Sequence, residues 1–134
     1  MRYTAFIHKD PDSVYGVSFP ELPGCIAVGN TIEEALSSAT EALAFHVRGM
    51  IADGDEVPEP RMPDDLIRDA ELAEDLQGAI IASVPLVRDL GSTTRINVSL
   101  DLGLLEAIDA EARQRKQTRS AFIASAVRRE LQGA

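Results

Sequence analysis

The stretch Thr94-Arg95-Ile96-Asn97-Val98-Ser99-Leu100 alternates without a slip, with Ile96, Val98 and Leu100 on one side and Arg95, Asn97 and Ser99 on the other. A period of two predicts a strand with one buried and one presented face. The presented face offers a guanidinium, a carboxamide and a hydroxyl, groups that match base edges in a DNA major groove. Two amphipathic segments follow it. One strand and two short helices hold too little apolar surface for a core of their own, so a second copy of the chain is implied.

Asp101 is placed to cap the first helix, with Leu102, Leu105, Ile108 and Ala112 along one face. Arg115-Lys116-Gln117 forms the break. Thr118 or Ser120 then caps a last helix whose inner face carries Phe122, Ile123, Ala126, Val127 and Leu131.

The earlier residues read differently. Residues 2–8 and 14–19 form two strands around the turn formers Lys9-Asp10-Pro11-Asp12-Ser13, and Tyr15, Val17 and Phe19 share one face of the second. Pro20-Glu21-Leu22-Pro23-Gly24-Cys25 is rigid and extended, Gly24 being free to take a positive φ. Ile26-Ala27-Val28 completes an antiparallel meander. Thr31 and Glu34 make a capping box for a helix reaching about Ile51, with Ile32, Leu36, Ala39, Leu43, Val47 and Met50 at helical spacing. His46 sits beside that stripe and is read as structural. The prolines of residues 57–63 exclude a helix, residues 64–77 make one or two short acidic turns, and residues 79–87 return as a fourth strand whose Pro85 lies near an edge. Residues 88–92 form a linker between a domain of residues 1–87 and one of residues 93–134.

Charge divides along the same line. The net charge is -9 in all, yet residues 93–134 hold seven basic and five acidic groups, while residues 1–92 hold six basic and seventeen acidic ones. An acidic body followed by a mildly basic tail points to two different partners. The single cysteine, Cys25, excludes an internal disulfide and fits a reducing compartment. No run approaches the roughly 18 apolar residues of a membrane span, and no apolar run follows Arg2, so a cytoplasmic protein without a signal peptide or membrane partner is expected.

Residues 93–131 resemble the ribbon-helix-helix family of DNA-binding domains. The resemblance rests on the Thr94–Leu100 strand, the leucine-rich first helix, and Thr118-Arg119-Ser120-Ala121-Phe122-Ile123 opening the second. It implies a homodimer in which two strands pair antiparallel and the ribbon enters the major groove. Arg95, Asn97 and Ser99 would then read bases. Thr118, Arg119 and Ser120, at a helix start with free N–H groups, would hold phosphate. One departure is that the family often has glycine in the helix–helix turn, where this chain has Lys116-Gln117.

Residues 1–87 resemble the HicB antitoxin family, through Tyr3-Thr4-Ala5, the run from Tyr15 to Cys25, the capped Thr31-Ile32-Glu33-Glu34-Ala35 helix and Pro58-Glu59-Pro60. The resemblance implies an α+β chain: a partial RNase H-like sheet-plus-helix domain followed by the dimerising ribbon-helix-helix domain. It also implies an antitoxin that blocks a small basic mRNA-cleaving toxin, HicA, and represses its own operon through operator DNA. Tyr15, Phe19 and Glu21, with the sheet edge, are where toxin contact is expected. The competing reading of that loop is a turn with its aromatics in the core.

No catalytic residue, metal or cofactor is assigned, and the chain is not expected to be an enzyme. Asp10, Asp12 and Glu21 are the residues a nuclease would use for a divalent metal, but acidic residues flanking Pro11 are ordinary turn chemistry. The remaining competitor is a ligand-sensing ribbon-helix-helix repressor without a toxin partner.

Overall fold

The chain divides into two compact units, Met1–Arg88 and Asp89–Ala134, and the computed structural model describes residues 1–132. In the first unit, β1 (Arg2–Lys9), β2 (Tyr15–Ser18) and β3 (Ile26–Gly29) form the expected antiparallel meander. β4 (Ile80–Pro85) pairs with the other side of β1, giving the order β3-β2-β1-β4. Pro85 lies opposite Arg2 at the end of an edge strand, where its missing N–H breaks no interior ladder. The β1–β2 turn places Asp12 at a φ of 59° and closes with the Ser13 N–H donating to the Asp10 carbonyl at 3.2 Å.

β1 is central, and five consecutive residues of it, Tyr3 to Ile7, are buried. Tyr3, Ala5 and Ile7 meet the helix α1 (Ile32–Ala52) in the core, together with Val17, Phe19, Leu22, Cys25 and Val84. The helix contributes Ala35, Ala39, Leu43 and Val47, with Ile32, Leu36 and Met50 half-buried at its margins. Each fully buried Leu, Val or Phe contributes roughly 1.5–3 kcal/mol. Thr31 caps α1 through the Glu34 N–H at 3.1 Å. The returning bond of the box goes one residue further out than expected: Glu34 Oε2 accepts the Asn30 N–H at 3.0 Å.

Gly29, at the end of β3, lies against the first turn of α1. A Cβ on it would fall 2.7 Å from the Ala35 Cα. Strand and helix therefore approach as closely as backbone allows.

Residues 57–77 are pinned to this unit by polar contacts. The Tyr3 hydroxyl donates to the Pro58 carbonyl at 2.6 Å, and the Arg61 N–H donates to Glu21 Oε2 at 2.9 Å. The expected acidic turns are α2 (Pro63–Arg68), a 3-10 turn at Ala70–Leu72, and α3 (Ala73–Leu76). Leu66 of α2 is fully buried, and Arg61 pairs with Asp69 at 3.0 Å. Among the described residues, no helix is long and apolar enough to cross a membrane.

The second unit holds α4 (Leu102–Gln114) and α5 (Arg119–Leu131). Asp101 caps α4 through the Leu104 N–H at 3.1 Å, and Thr118 rather than Ser120 caps α5 through the Ala121 N–H at 3.1 Å. Between them Lys116 adopts a φ of 56°. Its N–H donates to the Arg113 carbonyl at 3.1 Å, and the Gln117 N–H donates to the Ala112 carbonyl at 2.8 Å. This is the Schellman ending that glycine usually supplies. The departure in sequence leaves the turn geometry intact, with lysine carrying the steric cost.

The segment 94–100 stands here without the second copy that its expected pairing requires. Within one chain it forms no strand, and Ile96 and Val98 are 74% and 65% exposed. Ladder hydrogen bonds require a neighbouring strand, and one chain supplies none there. The helices show the same shortage. Ala112 alone is buried among the described residues of this unit, Leu105, Ile108, Phe122 and Ile123 are half-buried, and Leu102, Ala126, Val127 and Leu131 lie exposed instead of inside.

Candidate functional site

In the second unit, Arg95, Asn97 and Ser99 are exposed on the unpaired segment. At the start of α5, Ser120 is exposed and Thr118 Oγ1 is committed to its cap. Arg119 is the surprise. Its Nε donates to Asp109 Oδ1 at 2.8 Å and its Nη2 to Asp109 Oδ2 at 2.9 Å, a two-point brace from α5 to α4. The hydrogen bond from Arg119, more than its charge, holds the Asp109 carboxyl below the usual carboxylate range. Arg115 is held similarly by Glu111 at 2.8 Å and lies 5.3 Å from the Phe122 ring centroid.

In the first unit, the three residues proposed for toxin contact separate. Phe19 is 3% exposed and belongs to the core, so it cannot face a partner, and that assignment is corrected. Its place follows from the alternation of Tyr15, Val17 and Phe19, which turns all three toward α1. Tyr15 is half-buried, packs against the core and carries Lys9 Nζ 5.7 Å from its ring centroid. Glu21 is half-buried and anchors the Arg61 backbone, while its Oε1 is enclosed without a partner among the described residues.

A different surface lies beside β3. An open groove of about 410 Å³ is lined by Val14 and Val28 together with Glu34, Ser37, Ser38 and Glu41 of α1. β3 is an edge strand, so one row of its backbone donors and acceptors is unpaired within the sheet. One turn beyond Glu41 on the same stripe of α1, Phe45 is 79% exposed. The sequence held one signal of this surface: Phe45 is a large aromatic off the apolar stripe of its helix.

Asp10 and Asp12 are occupied as turn residues, and Glu21 is tied to Arg61. Among the described residues, no group of three or more His, Cys, Asp or Glu stands close enough to hold a metal ion. His46 is half-buried beside the Gly24 turn, where φ is 90° and a Cβ would lie 3.7 Å from His46 Cε1. Burial pushes the Cys25 thiol up to about 11, which makes it a poor nucleophile.

Solved antitoxins of similar sequence share this α+β fold. The antitoxin HicB of Burkholderia pseudomallei is 36% identical, over 95% of this chain and 96% of that one, with a TM-score of 0.56. A chain of the HicA3 and HicB3 toxin-antitoxin complex is 32% identical, over 65% of this chain and 99% of its own length, with a TM-score of 0.54. A 14.9 kDa protein from the rep-hol intergenic region of Haemophilus phage HP1 is 34% identical, over 81% of this chain and 80% of its own. Residues 3–127 match the family model of the HicB-like antitoxin of bacterial toxin-antitoxin systems, across the sheet, its helix and most of the helix pair, and the chain belongs to that family.

Proposed function

We propose that this chain is an antitoxin that binds and sterically blocks a HicA-like mRNA-cleaving toxin, and that it represses its own operon by binding operator DNA as a homodimer. The family match over residues 3–127 carries this reading. The similar HicB3 chain occurs in a complex with HicA3, which supports a HicA-like partner here. The acidic first unit suits a basic ribonuclease, because complementary charge speeds encounter and selects the partner. Inhibition is by covering the toxin's catalytic surface, so no bond is made or broken by this chain. The truncated RNase H-like sheet is, in this reading, a scaffold without its catalytic use.

The second unit is the ribbon-helix-helix half. Two copies pair through residues 94–100, which would bury Ile96, Val98 and Leu100 and turn Arg95, Asn97 and Ser99 toward the major groove. The exposed apolar rows of this unit support that pairing. Thr118, Arg119 and Ser120 hold phosphate at the start of α5. Co-expression tests the antitoxin half. Cells making a cognate HicA-like toxin are expected to stop growing, and to grow again when this chain is made too. Continued arrest would overturn the reading.

A further inference from the structure

We infer that the groove between the end of β3 and the outer stripe of α1 receives a lysine or arginine side chain of the toxin, presented on an extended segment. The inference rests on the antitoxin reading and names the surface through which it acts.

The lining selects the occupant. Val14 and Val28 offer apolar surface, Glu34 and Glu41 offer carboxylates, and among the described residues no Lys, Arg or His lines the groove. A side chain that fits both needs an aliphatic stem and a cationic head, which describes lysine and arginine. Glu34 already spends Oε2 on the Asn30 N–H and sits at the positive end of the helix. Glu41 lies two turns further along, clear of that competing charge, so it is the stronger anchor.

Two neighbouring features extend the contact. β3 is an edge strand, and its unpaired backbone row can hydrogen-bond an added strand of the same partner. Phe45, 79% exposed one turn beyond Glu41, offers a rigid aromatic contact of the kind that dominates interface energies. A second copy of this chain does not suit the site. Two-fold pairing across the groove would bring Glu34 and Glu41 of both copies together, and like charges repel.

The test measures affinity and association rate of the purified HicA-like toxin for the full-length chain and four variants. Glu41→Lys reverses the anchor, Ser38→Trp fills the groove, and Phe45→Ala removes the aromatic. Glu74→Lys reverses a charge that does not line the groove. Thermal melts establish that each variant is folded, and Glu41→Lys decides alone if Ser38→Trp is not. Glu41→Lys and Ser38→Trp are expected to weaken binding about tenfold or more, Glu41→Lys by slowing association, Phe45→Ala to weaken it less, and Glu74→Lys to stay within about twofold. If the wild-type chain binds the toxin and Glu41→Lys binds within about twofold of it, the groove is not the contact, though the antitoxin reading stands. If the wild-type chain does not bind the toxin, the antitoxin reading fails and the inference fails with it.

Discussion

Arg119 and Asp109 form a two-point ion pair that ties the first turn of α5 to the middle of α4, at 2.8 and 2.9 Å. The pair is solvent-accessible, so its strength depends on salt and on the charge of Asp109. The folded carboxyl lies below the usual carboxylate range because Arg119 hydrogen-bonds its charged form. Its contribution is therefore present above the ordinary Asp value and is lost as pH falls through the folded one. The protection of α4 and α5 amides, measured against the intrinsic exchange rate at each pH, is expected to fall below about pH 4. Asp109→Asn should exchange faster at pH 7 and lose this acid dependence.

The same pair separates two roles of Arg119. If its guanidinium meets phosphate, Arg119→Ala weakens every DNA sequence alike and flattens the salt dependence. Asp109→Asn loosens the same helix pair but leaves the cation free. Titration of operator and unrelated DNA at two salt concentrations should show weaker binding for Arg119→Ala, and for Asp109→Asn binding equal to or tighter than wild type.

Base reading rests on the segment before α4. Arg95→Ala and Asn97→Ala are each expected to lose roughly 1–3 kcal/mol against the cognate base pair and to relax preference at that position. Operator binding unchanged in Asn97→Ala would remove the segment's outer face from the account.

Lys116 holds the turn at a φ of 56°, a conformation that costs a residue with a Cβ about 1–2 kcal/mol. Lys116→Gly relieves that cost and gives back part of it as unfolded-chain entropy. Chemical denaturation at fixed protein concentration should place Lys116→Gly up to about 1 kcal/mol above wild type, and Lys116→Val below it.

The first unit has two sites where small changes act through packing. Gly29→Ala places a Cβ against the Ala35 backbone, which cannot yield without moving β3 or α1, and should cost roughly 1–3 kcal/mol. Phe19→Ala empties a core position and should cost roughly 3–5 kcal/mol. Thermal melts should show both losses. Loss of toxin binding in Phe19→Ala then reports unfolding, since the side chain has no exposed face.

The strands and α1 were legible because their apolar residues recur at two and at 3.6 residues, and Thr31 announces the helix start. Phe19 was legible too, since its alternation with Tyr15 and Val17 agrees with the competing reading that puts the aromatics in the core. Lys116 was not. A positive φ at lysine leaves no mark in residue type, whereas Gly24 does. The groove was hidden for a different reason: it joins Val28 of a strand to Glu34, Ser38 and Glu41 of the next helix, and neither periodicity alone brings them together. The segment 94–100 shows the limit in the other direction. Its alternation describes a pairing that one chain cannot make.

The most direct measurement is RNA cleavage by the purified HicA-like toxin, titrated with the full-length chain. The expected result is cleavage falling in proportion to added chain and vanishing at a fixed small-integer ratio of the two proteins. Undiminished cleavage with the chain in clear excess would contradict the account.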